Sequence, residues 1–325
     1  MGIVRIRRVG DHGGMAKTGV TVLGSANADL VLPVGRLPLP GETVLATGRR
    51  IGAGGKGLNQ AVAAARAGSR TSFVAALGVD AEGTGLREVL DAEGIGATVR
   101  ESSAPTGLAV VMVDEDGENS IVVAPGANAD LVDLTTEELA AVTAATVLLM
   151  QLEVPLPTVA AAARAAKEAG TMVVLNAAPA AVLTDDLLDC VDLLVVNEGE
   201  ARMMVGVAAG LHTDTGTRDV DDLLEALLVK VPGVVVTLGA AGAVQAGRDG
   251  SRHVEPARRV TVVDTTAAGD TFAGYLCAAL ADGAEMPVAL RLATVAAALC
   301  VQRPGAVPSV PRRAEVEALL VGSGG

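Results

Sequence analysis

Aromatic residues are almost absent from this chain of 325 residues, which has no tryptophan, one tyrosine and two phenylalanines. Positive charge is also in deficit, because 25 lysines and arginines are outnumbered by 38 aspartates and glutamates, for a net charge of −13. An acidic chain repels phosphate backbones, and without aromatic side chains it offers few surfaces on which bases can stack. The composition therefore argues against a nucleic acid partner. A phosphorylated small molecule remains compatible, because helix N-termini and bound cations can hold phosphates locally.

Cysteine and histidine are scarce as well, with three of each. Cys190, Cys277 and Cys300 lie far apart and form no CxxC pair, which predicts free thiols in a reducing compartment. The histidines are scattered through polar, turn-like segments. Neither a histidine-based catalytic triad nor a histidine-rich zinc site is therefore expected.

No apolar run reaches the roughly 18 residues that a membrane-spanning helix requires. The longest runs, Ala141–Met150 and Leu292–Val301, are interpreted as a buried strand region and a buried helix. Near the N-terminus, Gly10–His12 stands where a signal peptide would have its apolar segment. We expect no membrane association and a cytoplasmic protein, with a loose tail at residues 1–18 followed by one domain at residues 19–320.

Strand-like and helix-like segments alternate along the chain, and several helical patterns end at a glycine. Repeated strand-then-helix units with right-handed crossovers predict a doubly wound α/β fold, with a mainly parallel sheet covered by helices on both faces. The predicted strands are Thr21–Leu23, Ser72–Ala76, Val147–Met150, Met172–Leu175, Leu193–Val196 and Val234–Leu238. The predicted helices are Asn59–Ala67, Leu86–Glu93, Val159–Ala169, Asp221–Lys230, Ala268–Ala281 and Pro287–Val301.

Two stretches, Leu30–Ile51 and Thr106–Val123, depart from this alternation. Both are richer in β-branched residues, glycine and proline, and Asp114–Asn119 (DEDGEN) has the composition of a turn between two strands. We interpret them as strands that leave the main sheet and form a small β-sheet lid.

The segment Val260–Leu280 contains the most informative motif. A β-branched run ends in Asp264, the small residues Ala267–Gly269 form a turn, and Asp270 opens a helix. Unpaired backbone N–H groups at the positive end of a helix dipole can stabilise the charge on a transferring phosphoryl group. Asp270 in this turn is placed to take the proton of an attacking hydroxyl. On the residues alone, the alternative is that Asp270 merely caps the helix.

A glycine-rich segment, Ile51–Ala67, reads IGAGGKGLNQAVAAARA. Three of its glycines satisfy GxGxxG, but the clean buried strand that a dinucleotide-binding turn requires does not precede them. The segment is not a P-loop either, because Gly57 stands where a metal-binding Ser or Thr is needed. We interpret it as a hinge whose backbone lies against a polar ligand, with Lys56 and Asn59 projecting into the site. A helix-entry loop without a ligand is the alternative.

A third polar loop follows the apolar strand Leu193–Val196. Asn197 and Glu200 lie at its carboxyl end, where open α/β sheets bind ligands. The Glu200 carboxylate suits a hydrated Mg²⁺ ion, although a capped helix start explains the pair equally well.

A fourth loop follows the strand Val234–Leu238, where Thr237, Gly239 and Gly242 can wrap a polyphosphate. The four loops together offer a base, an anion site, a metal carboxylate and a hinge for a polar substrate. Phosphoryl transfer needs these parts, since it depends mostly on positioning and electrostatic stabilisation.

From about Val20 to Pro311 the sequence resembles the ribokinase branch of the PfkB carbohydrate kinase family. The resemblance rests on the order and spacing of ten motifs: Leu23–Asp29 (LGSANAD), Pro40–Val44 (PGETV), Gly54–Asn59 (GGKGLN), Pro125–Asn128 (PGAN), Gln151–Glu153 (QLE), Asn176–Pro179 (NAAP), Asn197–Glu200 (NEGE), Thr237–Gly242 (TLGAAG), Asp264–Asp270 (DTTAAGD) and Gly305–Pro311 (GAVPSVP). It implies ATP-dependent phosphorylation of D-ribose to D-ribose 5-phosphate, with Mg²⁺ and an activating K⁺ ion. It also implies a ribokinase-like fold with a β lid, and a homodimer joined through the lids.

The resemblance also implies roles for individual residues. Asp270 matches the catalytic base, and Ala267, Ala268 and Gly269 match the anion hole. The positions that match sugar contacts are Asn27, Asp29, Gly55, Lys56, Asn59, Glu153 and Asp270. Those that match nucleotide contacts are Asn197, Thr237, Gly239, Gly242, Gly269 and Thr294, and Glu200 matches the carboxylate that organises Mg²⁺. The positions that match the K⁺ site, whose ligands are largely backbone carbonyls, are Asp264, Thr266, Cys300, Arg303, Gly305 and Ser309.

The main departure from the family is Thr294, near the adenine, where relatives carry His or Asn; this bears on nucleotide preference. Two alternatives to a ribose kinase stay open. One is another PfkB kinase, for deoxyribose, a ketose or a nucleoside, although scarce aromatics argue against a nucleoside. The other is a non-catalytic sugar-binding regulator, against which the intact Asp270 and its small-residue turn argue.

Overall fold

The computed structural model describes residue 17 and residues 19–115, 118–208 and 219–321. Within these residues the strands are β1 (Val20–Leu23), β2 (Asn27–Pro33), β3 (Arg50–Gly54), β4 (Thr71–Gly78), β5 (Gly96–Ser102), β6 (Gly107–Val113), β7 (Asn119–Ala124), β8 (Val147–Met150), β9 (Met172–Asn176), β10 (Leu193–Asn197), β11 (Gly233–Thr237), β12 (Ala243–Gly247) and β13 (Arg252–Glu255). The helices are α1 (Lys56–Arg66), α2 (Ala81–Ala92), α3 (Thr136–Ala144), α4 (Leu156–Glu168), α5 (Asp185–Leu188), α6 (Glu198–Ala208), α7 (Val220–Leu228), α8 (Ala268–Ala281), α9 (Met286–Cys300) and α10 (Arg313–Val321).

The main sheet has nine strands in the order β13-β12-β11-β10-β9-β8-β1-β4-β5. All neighbouring pairs from β11 to β5 are parallel, and β1 lies between β8 and β4. Parallel strands buried on both faces are expected to be continuous apolar runs, as β8 (VLLM) is. One face packs against α1, α2, α8, α9 and α10, and the other against α3 to α7. The predicted doubly wound fold is confirmed, and the carboxyl ends of the parallel strands meet at one edge.

The small sheet is the predicted lid. Its order is β3-β2-β6-β7, with β2 antiparallel to β3 and parallel to β6, and β6 antiparallel to β7. Gly52 and Gly54 lie within β3, an antiparallel lid strand, so they do not form the strand-to-helix turn of a dinucleotide fold. The predicted turn at Asp114–Asn119 does connect β6 to β7, although residues 116–117 lie outside the described residues.

The expectation for one apolar run is wrong. Ala141–Met150 is not strand throughout, because α3 extends to Ala144 before β8 begins at Val147. Thr135 starts that helix with a capping box in which Thr135 and Glu138 exchange side-chain-to-backbone hydrogen bonds. No element was predicted for the β-branched run that ends in Asp264, and the run forms no strand, with Val263 exposed.

Three strands of the main sheet were not predicted at all, namely β5, β12 and β13. The last two form an antiparallel edge beside β11. The predicted tail at residues 1–18 lies outside the described residues except for Lys17, which donates from Nζ to the backbone oxygen of Ala169 at 2.6 Å. The division into a tail and one domain stays a prediction.

Candidate active site

Asp270 lies in the first turn of α8, whose bounds are those predicted from the sequence. The helix begins at Ala268, and Ala267 is its N-cap residue in the left-handed conformation, with φ of 60°. The Asp270 carboxylate is 8% exposed and accepts two hydrogen bonds, from Asn59 Nδ2 at 3.0 Å and from Gln60 Nε2 at 2.9 Å. The interpretation of Asp270 as a helix cap is therefore wrong, because its side chain is bound by α1.

The turn before Asp270 presents backbone N–H groups outward. The first helical hydrogen bond runs from Thr271 N–H to the Ala267 carbonyl at 2.8 Å, so the N–H groups just before it have no partner within the helix. Ala268 N–H donates weakly to the Thr265 carbonyl at 3.2 Å. The N–H groups of Ala267 and Gly269 have no acceptor among the described residues, and Gly269 is exposed. These two groups are available to an anion in front of Asp270.

Two glycines bring the start of α1 against the segment between β1 and β2. A Cβ at Gly55, whose φ is 91°, would lie 2.9 Å from Ala26 Cα, and a Cβ at Gly57 would lie 2.6 Å from Ser25 N and O. Real Cβ atoms do not tolerate such distances to backbone atoms. The GGKG sequence is therefore required for close packing here, and this packing places Lys56 and Asn59 beside the first loop of the sheet.

Glu153 joins three segments of the predicted sugar site. Its Oε2 accepts from Ser25 Oγ at 2.6 Å and from Lys56 N–H at 3.1 Å. Asn27 is 2% exposed, and its Oδ1 accepts from Asn128 Nδ2 at 2.7 Å. This bond leaves the Asn27 amide group as a donor for a ligand. The Asn59 Oδ1 atom is buried without a partner in the described chain, so it is an available acceptor.

Four carboxylates and one ammonium group share this edge of the sheet. Burial raises the pKa of Asp29 to about 7, helped by the negative charges of Glu153 and Asp270. The charge of Asp270 raises the pKa of Lys56 against the opposing effect of burial, and Glu153 and Glu200 add to the rise. Lys56 is therefore a cation amid these carboxylates.

Asn197 and Glu200 form the capped helix start that the sequence left open. Asn197 N–H donates to Glu200 Oε2 and Glu200 N–H donates to Asn197 Oδ1, both at 2.8 Å. Burial raises the pKa of Glu200, opposed by the Asn197 hydrogen bond and by Lys56. The cap does not exclude a ligand role, because the carboxylate still faces the charges of Lys56 and Asp270.

The loop after β11 lies beside this cap. Thr237 pairs with Asn197 in the register of β10 and β11, and its Oγ1 donates to the Val196 carbonyl at 3.4 Å. Gly242 has φ of 104°, and a Cβ there would lie 2.1 Å from the Glu255 carbonyl oxygen. Thr237, Gly239 and Gly242 thus form one turn at the carboxyl edge, as predicted.

The residues predicted for a monovalent cation come together from two segments far apart in sequence. The Asp264 carboxylate accepts from Thr266 N–H at 2.9 Å and from Gly305 N–H at 2.8 Å. Burial acts to raise the pKa of Asp264, but these hydrogen bonds hold it below its usual value. Cys300 Sγ lies 3.0 Å from Ser309 Oγ. K⁺ prefers hard oxygen ligands such as carbonyls. At these positions the Cys300 carbonyl already accepts from Arg303 N–H at 3.0 Å, and the Thr266 carbonyl accepts from Cys300 Sγ at 3.7 Å.

Two predicted residues are less closely tied to the rest. The guanidinium of Arg303 forms an ion pair with Glu315, so only its backbone carbonyl is left for a cation. Thr294 is buried in α9, and its hydroxyl has no hydrogen-bond partner among the described residues. No hydrogen bond joins Thr294 to the other site residues in that part of the chain.

No role was predicted for the residues that hold the base and the sugar-binding side chains. Gln60 and Asn176 lie behind Asp270, and Ser25 and Asn128 hold Glu153 and Asn27. The sequence does contain a pattern that points to Gln60. Its helix is rich in alanine and was expected to be buried, so a polar residue within it was expected to be buried too. Buried amides almost always have hydrogen-bond partners, so it predicted a network.

The described residues hold no cluster of three or more His, Cys, Asp or Glu side chains placed to bind a metal ion. A single carboxylate such as Glu200 fits an ion that keeps most of its waters, as Mg²⁺ does. None of the helices in the described ranges is long and apolar enough to cross a membrane.

The chain is similar to known proteins over most of its length. The family described as pfkB family carbohydrate kinase matches residues 17–313. The ribokinase of Haemophilus influenzae is 40% identical over 314 residues, which cover 93% of this chain and 97% of that protein. The structure of Arabidopsis thaliana ribokinase complexed with ribose and ATP has a TM-score of 0.85 and 36% identity, covering 94% of this chain and 99% of that one. The ribokinase structure from Thermotoga maritima has a TM-score of 0.85 at 34% identity, with the same coverage.

Proposed function

The chain belongs to the PfkB family of carbohydrate kinases, and from this premise we propose that it transfers the γ-phosphate of ATP to the terminal hydroxyl of D-ribose. The observation that carries the proposal is the environment of Asp270. A buried carboxylate held by two amide donors lies beside the outward N–H groups of Ala267 and Gly269. This arrangement offers a proton acceptor and an anion site within one helix turn.

The chemical step follows from this geometry. Asp270 accepts the proton of the sugar hydroxyl while the hydroxyl oxygen attacks the γ-phosphorus of ATP. The bond between the γ-phosphorus and the oxygen that bridges it to the β-phosphorus breaks, and ADP leaves. The N–H groups of Ala267 and Gly269 stabilise the negative charge on the transferring group. Lys56 adds positive charge on the side facing Asp270. A positioned base contributes about 10²–10⁴-fold to such a rate.

A polyhydroxylated ligand fits the polar groups on offer. Asn27 keeps its amide donor free, Asn59 keeps an unpartnered oxygen, and Asp29 and Glu153 present carboxylate oxygens. With the backbone of Gly55 and with Lys56, they form the sugar site that the resemblance implies. Mixed donors and acceptors at fixed positions are what a sugar with several hydroxyls requires.

The nucleotide and cations complete the proposal. Asn197, Thr237, Gly239, Gly242 and Thr294 would contact ATP, with Gly269 at its phosphates. Bound through water to Glu200, Mg²⁺ would supply charge neutralisation at the phosphates. A K⁺ ion among the carbonyls near Asp264 and Ser309 would add positive charge behind the anion site.

We also propose a cytoplasmic location, which the free cysteines support.

The test is ATP consumption by the purified protein with D-ribose, 2-deoxyribose, fructose and adenosine, each in K⁺ and in Na⁺ buffer. Turnover fastest on ribose and stimulated by K⁺ is the expected result. Preference for another sugar would overturn ribose while keeping the family chemistry. Equal rates in K⁺ and Na⁺ would remove the cation site.

Asp270→Asn separates chemistry from binding in the same assay. We expect kcat to fall by about 10²–10⁴-fold, while ribose affinity measured by calorimetry changes little. A variant with nearly normal kcat would show that Asp270 is not the base.

A further inference from the structure

The Gln60 side chain lies directly behind Asp270 and is out of reach of solvent. Its exposure is 0%, whereas Asp270 is 8% exposed and Asn59 5%. Gln60 and Asn59 are neighbours in α1, and each donates to a different oxygen of the carboxylate, Gln60 to Oδ1 and Asn59 to Oδ2. Asn59 belongs to the predicted sugar site. Gln60 is buried below it, so its contacts are with the protein interior.

Every polar atom of the Gln60 amide is hydrogen-bonded. Nε2 donates to Asp270 Oδ1 and to Asn176 Oδ1, both at 2.9 Å, and Oε1 accepts from Gln151 Nε2 at 2.5 Å. Asn176 in turn donates from Nδ2 to the Val195 carbonyl of β10 at 3.0 Å. The backbone carbonyl of Val195 therefore fixes the orientation of the Asn176 amide, and Asn176 Oδ1 in turn fixes the Nε2 end of Gln60.

This network fixes which end of the Gln60 amide faces the base. If the Gln60 amide were flipped, Oε1 would face two other oxygens, Asp270 Oδ1 and Asn176 Oδ1, and the two hydrogen bonds from Nε2 would be lost in a buried place, where unsatisfied polar groups are costly. Gln151 does not oppose such a flip, because its own Oε1 has no partner among the described residues and its amide can turn as well. Asn176 therefore keeps the Nε2–H group of Gln60 pointed at Asp270, where it holds one oxygen of the carboxylate in place.

We propose that Gln60 is a positioning residue for the phosphoryl transfer, holding the Asp270 carboxylate in one orientation through an amide that Asn176 keeps from turning. The proposal rests on the proposed function, because it takes Asp270 as the base. Gln60 acts on kcat through Asp270 and does not touch the sugar. Small errors in the position of a reacting group cost a large part of the rate, so the effect is measurable.

The first test is Gln60→Met, which keeps the length of the side chain and removes its hydrogen bonds. We expect kcat on the preferred sugar to fall by about 10- to 100-fold and KM for that sugar to change by less than about threefold. The matched control is Gln245→Met, the same change at a buried glutamine of β12, which should leave kcat and KM unchanged. Equal losses in the two variants, or a loss confined to KM, would overturn the proposal.

The second test does not depend on how well the methionine variant folds. Gln60→Glu keeps an oxygen that faces Gln151 but replaces the Nε2 donor by a second oxygen. The introduced carboxyl group repels Asp270 when it is ionised, and it can donate a hydrogen bond to Asp270 only when it is protonated. The ratio of wild-type to variant kcat should therefore rise with pH between about pH 6 and pH 9. A merely structural role gives a ratio that is the same at every pH, and that result would contradict the proposal.

A third measurement places Gln60 and Asp270 in one unit. In the Asp270→Asn background, Gln60→Met should lower the residual kcat by less than about twofold, because its partner is already disabled. A full additional loss would show that Gln60 acts elsewhere. Failure of the proposed function is distinguishable, since the wild-type protein would then show no sugar-dependent ATP consumption before any variant is measured.

Discussion

At the scale of single residues, Asp29 is the side chain of the site whose charge changes near neutral pH. Its pKa of about 7 in the folded chain exceeds its ordinary value of 3.8 because burial and neighbouring carboxylates disfavour the ionised form. Between these two values the folded chain binds more protons than the unfolded chain. The contribution of Asp29 to the free energy of unfolding therefore falls as pH rises through this window, and the loss is complete above about pH 7.

Asp29→Asn removes this pH-dependent loss. Relative to wild type, the variant should gain free energy of unfolding between about pH 5 and pH 8, measured by urea denaturation at both values. It should also bind ribose more weakly, because a carboxylate in the predicted sugar site is lost. Asp91→Asn, the same change at an exposed position in the last turn of α2, is the control. A difference between Asp29→Asn and wild type that is the same at both pH values would contradict this account.

Single residues also show where sequence reasoning reached its limit. Asp270, Lys56 and Asn59 could be named from motifs, because their roles depend on a local turn or a helix start. The roles of Gln60 and Asn176 depend on contacts that span 210 and 116 positions of the chain. No local pattern encodes such a distance, so their partners became visible only when the strands and helices were placed in space.

At the scale of elements, the position of α1 depends on glycine. Gly57→Ala would bring a Cβ within 2.6 Å of the backbone of Ser25. Backbone atoms cannot move aside as the end of a flexible side chain can. Overpacking of this kind typically costs about 1–3 kcal/mol. We expect a lower urea midpoint and a weaker affinity for ribose, because Lys56 and Asn59 move with the helix.

Gly85→Ala is the matched control within α2, where a new Cβ meets nothing within 4 Å. Replacing glycine by alanine in a helix interior usually stabilises it by up to about 1 kcal/mol. The control should therefore unfold at a higher urea concentration than wild type and keep its affinity for ribose. If both variants behave alike, close packing at Gly57 is not the cause.

The elements that the sequence predicted and those that it did not differ in how strongly they are buried. Buried strands such as β8 and helices with a clear apolar face such as α4 were found within a few residues. The edge strand β13 alternates between half-buried and exposed residues, and β5 is mostly exposed or half-buried. Their pairing partners decide that they are strands, and the order of strands in a sheet is a property of the tertiary fold.

At the scale of the whole molecule, the lid has an apolar surface that none of the described residues covers. β7 is the last strand of the small sheet in the described chain, and Ile121, Val122 and Val123 on it are 54%, 62% and 44% exposed. An apolar edge strand is prone to pair with another chain. The homodimer that the resemblance implies stays a prediction, and this edge is where we expect it to form.

Val122→Lys tests the dimer. Light scattering on a sizing column should give the mass of two chains for wild type and a lower mass for the variant, because a charge in an apolar contact is costly. Val182→Lys places the same charge at a residue that is 68% exposed and lies outside the lid, and should keep the wild-type mass. A wild-type protein with the mass of one chain would exclude the lid-to-lid dimer under those conditions.

The base and one of the amides that hold it come from distant parts of the chain, since Asn59 and Asp270 are 211 positions apart. A ribosome that adds about 5–20 residues per second needs roughly 10–40 seconds to cover that distance. Through that interval the nascent polypeptide has its hinge and much of its sheet but no proton acceptor. A growing or prematurely terminated chain that ends before Asp270 therefore cannot spend ATP on a sugar.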